Sequence, residues 1–198
     1  MYVAGVQLSP VVQVAGSVPF SIHMGDISAS INRLAAPLFY VSPQQLDIQI
    51  PYEIQPGAAT LVVRSPGTQE TFQFTVAAAA PGIFTAQDGS LVPMASAVRG
   101  TTLPMFITGQ GAVSPAVATG AAPPASTPLA QLPAPVLPLT MTVGGISVTP
   151  AFVGIPPGLV GVTQINFEVP QSVATGPQQV VVTIGGVASA PATLNVTQ

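Results

Sequence analysis

Two heptapeptides with the same alternating pattern, QLDIQIP at 45–51 and QINFEVP at 164–170, constrain this chain more than any other feature. In both, polar and apolar residues alternate up to a final proline. Side chains alternate between the two faces of a β-strand, so each heptapeptide predicts a strand with one apolar and one polar face. Proline has no amide hydrogen to donate to a neighbouring strand, so Pro51 and Pro170 are predicted to end these strands.

The heptapeptides lie 119 positions apart, and other residues match at the same spacing. Gly25 corresponds to Gly144, and LVV at 61–63 corresponds to VVV at 180–182. Between the matching blocks the first copy is longer at NRLAAP and the second is longer at GLVGVT. Because these differences cancel and restore the spacing, we interpret the chain as a duplication of one unit.

Short β-rich segments separated by turn residues recur along the chain, as in TFQFTV at 71–76 and VVVTIGG at 180–186. The 23 prolines and 19 glycines fall between apolar runs, and we find no amphipathic helix of convincing length. Strands at a spacing of about 8–12 residues are typical of β-sandwiches. We therefore predict an all-β fold of two tandem immunoglobulin-like β-sandwich modules, at residues 1–78 and 79–198.

The two predicted modules differ in length before their matching strands. Only 17 residues precede VPFSIHM in the first copy, so we expect this module to lack one or two N-terminal strands unless YVAGVQL and VVQV replace them. The segment 113–138 is rich in proline and alanine and has no charge. We predict an extended loop of the second module there; a disordered linker between the modules is the alternative.

Several longer segments resemble a known family: APLFYVSPQQLDIQIPYEIQPGAATLVV, AAAAPGIFTAQDGS, ITGQGAVSP and TVGGISVTPAFVGIPPGLVGVTQINFEVPQ. They are similar to the Solibacter-type uncharacterised C-terminal domain of acidobacterial secreted proteins. The second half also resembles IPT/TIG-like immunoglobulin modules. The resemblance covers residues 17–198 and implies export and association with surfaces. It implies no catalytic residues, and the start of the chain departs from the family's glycine-rich upstream strand.

Residues suited to catalysis or metal binding are few. The chain has no cysteine and no lysine, and His23 is its single histidine. A Ser–His–Asp triad would require a serine and an acid beside His23, and no nucleophile-elbow sequence occurs. The carboxylates are Asp26, Asp47, Glu53, Glu70, Asp88 and Glu168. Asp88 lies in a QDGS turn that offers too few oxygen ligands for calcium. We therefore predict no enzyme activity, no metal site and no cofactor.

Charge is scarce, since only 5% of residues are charged and the net charge is -3. This composition gives no basic surface for nucleic acid. No apolar run approaches the roughly 18 residues of a membrane helix, so membrane insertion is not expected. A neutral, apolar exterior favours contact with proteins, through self-association or a surface partner. Tyr2, Tyr40 and Tyr52 leave carbohydrate as another possible ligand.

We interpret the chain as a non-enzymatic extracellular structural or adhesive module of a bacterium, secreted or held at the cell surface. Self-assembly into an oligomer or fibre by β-edge pairing is the mode of action that fits a module short of an edge strand. The alternative is a carbohydrate- or protein-binding accessory module of a larger secreted protein. The candidate interaction residues all belong to the N-terminal segment: Tyr2, Val3, Val6, Leu8, Val11, Val12 and Val14.

Overall fold

The computed structural model describes residues 2–3 and 11–198. Within these residues the regular elements are β-strands, apart from one short 3-10 helix at Leu129–Gln131. Contacts divide the chain into two compact units. The first unit extends to Ala78 and also includes Val117–Pro124, and the second contains Ala79–Ala116 and Ala125–Gln198.

Among its described residues, the first unit contains nine strands in two sheets. They are β1 (Tyr2–Val3), β2 (Gln13–Val14), β3 (His23–Met24), β4 (Ile27–Ile31), β5 (Leu34–Ala36), β6 (Leu38–Val41), β7 (Leu46–Ile48), β8 (Gly57–Ser65) and β9 (Thr68–Val76). One sheet has the order β1-β7-β6-β2. The other has the order β3-β4-β8-β9, with β5 also paired to β4. All of these pairs are antiparallel.

The second unit contains twelve strands. They are β10 (Gly82–Ile83), β11 (Ser96–Val98), β12 (Thr102–Thr108), β13 (Val113–Ser114), β14 (Ala134–Pro135), β15 (Leu139–Val143), β16 (Ile146–Val148), β17 (Phe152–Gly154), β18 (Thr163–Glu168), β19 (Gly176–Ile184), β20 (Val187–Ala188) and β21 (Ala192–Thr197). Its two main sheets have the orders β10-β12-β18-β17 and β11-β21-β19-β15-β16, with β20 also paired to β19. A separate small sheet pairs β13 with β14.

These strand orders identify the second unit as an immunoglobulin-like β-sandwich. In that fold, strands A, B, E and D form one sheet, and strands G, F, C and C′ lie in the other. Strands β10, β12, β18 and β17 take the first four positions, and β21, β19, β15 and β16 take the second four. β11 lies parallel to β21 at the edge of the second sheet. The all-β, tandem immunoglobulin-like fold predicted from the sequence is confirmed.

Each unit has its own hydrophobic core between its sheets. In the first unit, the inward-facing residues of β4, β7 and β8 are buried, including Ile31, Leu46 and Leu61. In the second unit, the core is built from β12, β15, β18, β19 and β21 and includes Phe167 and Leu194. Every second residue of these strands is buried, which is the pattern the two heptapeptides predicted.

The strand pairing corrects the alignment of the two copies. In the first unit Ala29 pairs with Ala36, and in the second Met141 pairs with Val148, 112 positions further along. The hairpin β4–β5 is therefore the counterpart of β15–β16, and the predicted match of Gly25 with Gly144 is wrong. The 119-residue spacing holds only from β7 and β18 onward, because the segment between the end of β16 and Ile165 has seven more residues than the corresponding segment between the end of β5 and Leu46.

Residues 117–124 belong to the first unit, although we predicted them as part of a loop of the second module. The amide of Gly120 donates to the side-chain oxygen of Gln49 over 2.6 Å, and the carbonyl of Gly120 accepts from the amide of Phe20 over 2.8 Å. Thr119 accepts from the amide of Tyr52 and donates to Glu53. These four contacts hold the segment against the first unit.

Candidate interaction surface

The N-terminal strand β1 takes the place that strand B has in the second unit. Tyr2 is opposite Asp47 and Val3 is opposite Leu46, both on β7 of the same chain. In the second unit, the corresponding neighbour of β18 is β12. β1 is much shorter, with two residues against seven in β12. Val6 and Leu8, two further candidate interaction residues, lie outside the described residues.

Strand β2 lies at the opposite edge of the same sheet, beside β6. Val11, Val12 and Val14 are 57%, 60% and 57% exposed, so the apolar side chains of this segment face solvent. Gln13 is only partly exposed, and its side-chain amide lies next to Gly25. The usual arrangement, with apolar side chains inward and polar ones outward, is thus reversed in this strand.

The seven candidate residues therefore do not form one surface. The β1 residues Tyr2 and Val3 and the segment 11–14 are separated by β7 and β6. Among the candidate residues whose side chains the structure describes, Val11, Val12 and Val14 are exposed, and they lie at the β2 edge.

A longer open edge, which the sequence analysis did not locate, is formed by the nine-residue strand β9. In the second unit the corresponding strand, β21, pairs with β11 as well as with β19. Among the described residues, β9 pairs with β8 and with no other strand. The first unit thus has no described counterpart of β11 at this position.

Burial of the inward-facing side chains shows the effect of this difference. The register places Phe72 opposite Leu61 and Phe74 opposite Ala59. Both phenylalanines pack against the core but are only half-buried. On β21 the inward side chains of Ala192, Leu194 and Val196 are 0%, 0% and 1% exposed. The apolar face beside the edge of β9 is therefore incompletely covered.

The hydrogen-bonding direction of β9 follows from its neighbours. Thr60 exchanges hydrogen bonds with Asn32 on the β4 side, through distances of 3.0 and 2.9 Å. Backbone groups point to alternate sides along a strand, so Leu61 bonds toward β9, where its partner is Phe72. The N–H and C=O of Thr71 therefore point away from β8, as do those of the other odd-numbered residues of β9.

The candidates for catalysis are dispersed. His23 is exposed on β3, and its amide donates to the hydroxyl of Ser21. Asp47 accepts two 3.0 Å hydrogen bonds from the side chain of Gln45. Within the described part of the chain, no three histidine, cysteine, aspartate or glutamate side chains are grouped closely enough to hold a metal ion.

Asp88 lies in the turn between two bridged residues of the second unit. Its carboxylate accepts hydrogen bonds from the hydroxyl of Ser90 over 2.6 Å and from the amide of Ser90 over 2.9 Å. These two hydrogen bonds, with the hydroxyl contributing most, lower the pKa of Asp88 below its ordinary value. The QDGS segment is therefore a turn closed by its own side chains.

A concave area on the outer face of β3, β4, β8 and β9 was also missed by the sequence analysis. Its lining includes Arg33, Arg64 and His23. The two arginines are 31 positions apart in the sequence and come to the same face of the sheet only through strand pairing. The one sequence signal was the turn Asn32–Arg33, which has the place of Gly144–Gly145 in the second unit.

Within the described residues, no helix has the length and apolar character needed to cross a membrane. No protein-family model matches the chain, and no curated protein matches it.

Among solved structures, the chain is similar to domains 4–9 of the surface layer protein SbsC, with 14% identity and a TM-score of 0.32. That match covers 93% of this chain and 22% of the SbsC chain, so this chain spans about a fifth of its length. It is also similar to the titin Ig tandem A164–A165, with 12% identity and a TM-score of 0.28. That match covers 87% of this chain and 81% of the titin chain. The titin I9–I11 tandem matches at 10% identity and a TM-score of 0.28, over 100% of this chain and 66% of that one. Such distant likenesses assign no residue a role.

Proposed function

We propose that this chain is a non-enzymatic structural module of a bacterial exterior that assembles with copies of itself through the open edge of β9. The observation that carries the proposal is the half-buried apolar face of Phe72 and Phe74 beside a nine-residue strand edge. The resemblance to secreted acidobacterial C-terminal domains supports a place outside the cell, and we propose membership of that family on the segments quoted above.

Strand addition suits this edge for two reasons. An incoming strand would bond to the outward-pointing backbone groups of β9, and main-chain hydrogen bonds give such contacts their affinity. It would also cover part of the exposed area of Phe72 and Phe74. Full burial of a phenylalanine or valine side chain contributes about 1.5–3 kcal/mol. Natural edge strands are commonly protected by lysine, proline or an inward-pointing charge; β9 contains neither lysine nor proline, and its one charged residue is the inward-facing Glu70.

The donor that we propose is the segment 11–14 of a neighbouring copy. Val12 and Val14 alternate with Gln13, so one face of this segment is apolar and the other is polar. Docked on β9, the two valines would cover the phenylalanine face, and Gln13 would lie with the outer row of threonine and glutamine side chains. Donor and acceptor are different surfaces of one chain, and such head-to-tail contacts produce rings or fibres.

The test measures the solution mass of the full chain by light scattering as a function of concentration. The parent is expected to form species larger than a monomer. Thr71→Pro removes one outward N–H of β9 without removing a hydrogen bond to β8, so it should abolish association. Thr71→Val, the matched control, keeps the N–H and should still associate.

A donor variant separates the two surfaces. Val12→Asp with Val14→Asp should also give a monomer, and mixing this variant with Thr71→Pro should restore only dimers, because each then retains one half of the contact. A parent that stays monomeric at every concentration, or a Thr71→Pro variant that associates like Thr71→Val, would overturn the proposal.

A further inference from the structure

The outer face of the sheet β3-β4-β8-β9 contains a concave area that encloses a volume of about 720 Å³. Its polar lining comes from serine, threonine, asparagine, arginine and histidine side chains: His23, Ser28, Ser30, Asn32, Arg33, Thr60 and Arg64. These residues come from three strands and one turn, so the area is created by strand pairing. The alternation of β4 and β8 turns these polar side chains outward, together with Val62, which also lines the area.

Positive charge is concentrated in this area. The whole chain has three Lys and Arg residues, one histidine and six acids. Two of the three arginines and the histidine line the concave area, and no aspartate or glutamate does so among the described residues that line it. Two acids lie close to this area by register: Asp26, which is in the turn between β3 and β4, and Glu70, which pairs with Val63. Val63 is buried, so Glu70 is turned toward the inner face of the sheet, away from Arg64.

Register places the cationic groups at two ends of the area. His23 is opposite Ser28, and Ser28 is opposite Arg64, so one cross-strand row contains an imidazole, a hydroxyl and a guanidinium. Arg33 lies in the turn after β4, five positions beyond Ser28 and therefore at the other end. A rise of about 3.3 Å per residue puts the two ends more than about 10 Å apart. Ser30 and Val62 lie between them, and Thr60 lies beside Asn32 at the Arg33 end, where its hydroxyl donates to Gln73.

Arg33 occupies a backbone conformation that favours glycine. Its φ is 72° and that of Asn32 is 48°, which is the pattern of a two-residue hairpin turn with both central residues left-handed. The second unit has glycine at both positions, with φ of 57° at Gly144 and 79° at Gly145. Left-handed backbone is disfavoured for arginine, and such strain persists mainly where the side chain has a function. Arg33 is thus placed at the rim of the area at a conformational cost that Gly145, its counterpart in the second unit, does not have.

We propose that this face binds an acidic polysaccharide, whose carboxylate or sulfate groups would meet the arginines at the two ends while its hydroxyl groups meet Ser30 and Thr60. Guanidinium groups form charge-assisted hydrogen bonds with such anions. Two separated cationic ends suit a chain with repeated charges better than a single small anion. The inference is independent of assembly through β9.

Two other polyanions fit less well. Duplex DNA requires many phosphate contacts for affinity, and this face offers two arginines on a chain of net charge -3. An acidic peptide would be recognised mainly through main-chain bonds at a strand edge, and the hydroxyls here are on a sheet face.

Calorimetric titration of the full chain at low salt tests the proposal with four probes: polygalacturonate, dextran sulfate, neutral dextran and duplex DNA. Polygalacturonate or dextran sulfate should bind, neutral dextran should not, and binding should weaken as salt is added. Which of the two acidic polymers binds more tightly identifies the anionic group. Arg33→Gly and Arg64→Gln should each weaken binding by about tenfold, the loss expected for one charge-assisted contact.

Gln131→Glu is the matched control, since it makes the same change in net charge at an exposed residue of the second unit. It should leave the affinity unchanged. Arg33→Gly also removes backbone strain, so its loss of binding should come without a loss of stability. The proposal is overturned if neither acidic polysaccharide binds, if Gln131→Glu weakens binding as much as Arg33→Gly, or if DNA binds as tightly as the acidic polysaccharides.

Discussion

The hairpins β4–β5 and β15–β16 have the same pairing but different turns, and the difference separates what the fold requires from what one unit adds. In both, the three residue pairs flank a two-residue turn with positive φ. The second unit uses Gly144 and Gly145, the residues that adopt this backbone at least cost. The first unit uses Asn32 and Arg33. Asparagine tolerates the left-handed region better than most residues, whereas arginine has no such advantage. The two hairpins thus share one turn geometry, and in the first unit Arg33 adopts it at a conformational cost.

The corresponding strands β9 and β21 differ in how far their outer edges are covered. β21 is covered by β11, and its inward side chains are almost fully buried. The inward side chains of β9 are half-buried, because no described strand covers its outer edge. The two units therefore differ at this edge, since β11 covers β21 and no described strand covers β9.

The largest expected effect comes from opening a cavity in one core. Leu61 is fully buried in the first unit, and Leu61→Ala should lower the free energy of unfolding of that unit by about 2–5 kcal/mol. The three tyrosines, Tyr2, Tyr40 and Tyr52, all precede Ala79, and the chain has no tryptophan. Tyrosine fluorescence therefore follows the first unit alone during urea unfolding.

Leu194→Ala provides the comparison in the second unit, where Leu194 is also fully buried. It should shift the unfolding seen by far-UV circular dichroism and leave the tyrosine-detected midpoint in place. If Leu194→Ala moves the tyrosine signal as far as Leu61→Ala does, the two cores do not unfold separately and the comparison of two units breaks down.

A medium effect is expected from placing the first unit's turn residue in the second unit. Gly145→Arg should lower the stability of the second unit by about 1–2 kcal/mol, the cost of a left-handed residue with a side chain. No heavy atom lies within 4 Å of the position that a side chain would start from at Gly145, so backbone strain is the only cost. Far-UV circular dichroism during thermal unfolding measures the change.

Gly145→Asn is the control for this exchange, and it should cost less than Gly145→Arg because asparagine tolerates this backbone. A Gly145→Arg variant as stable as the parent would show that Arg33 costs nothing in the first unit, and it would remove one of the supports for the polysaccharide-binding face. Gly144 is unsuitable for the test, because a side chain there would clash with Gln178.

Sequence patterns predicted the parts of this fold that repeat along one strand. The alternation in QLDIQIP and QINFEVP places Leu46 and Phe167 in the two cores, as the structure does. The alignment of the first hairpin failed because Asn32 and Arg33 replace the glycines that mark the turn, and Gly25 offered a false match at the same spacing. The packing of residues 117–124 on the first unit was not predictable from sequence patterns. These residues contact that unit through individual backbone and side-chain groups, and such contacts leave no periodic pattern in the sequence.

The candidate surfaces were predictable only in part, for a related reason. An apolar N-terminal segment is visible in the sequence, but sequence does not tell that Val3 and Val14 lie at opposite edges of one sheet. The open edge of β9 depends on which strands are its neighbours. The concave face depends on the register that brings Ser28 between His23 and Arg64. Strand pairing decides which strand lies at the edge of a sheet and which side chains share a face. Pairing between distant segments leaves little trace in local sequence patterns.

The smallest expected effect is a change in how the stability of the second unit depends on pH, and it arises from Asp88. The Ser90 hydrogen bonds lower the pKa of Asp88 in the folded chain below the ordinary value of 3.8. A carboxylate with a depressed folded pKa contributes stability above its unfolded pKa, and that contribution is lost as the pH falls through the folded pKa.

Asp88→Asn should therefore lower the stability of the second unit slightly at neutral pH and make no difference well below pH 3.8. Ser90→Ala should give the same pH dependence, because it removes the hydroxyl that contributes most to the shift. Thermal unfolding followed by circular dichroism at a series of pH values measures both variants, and a stability loss that persists at low pH would show that Asp88 acts through the shape of the turn instead of through its charge.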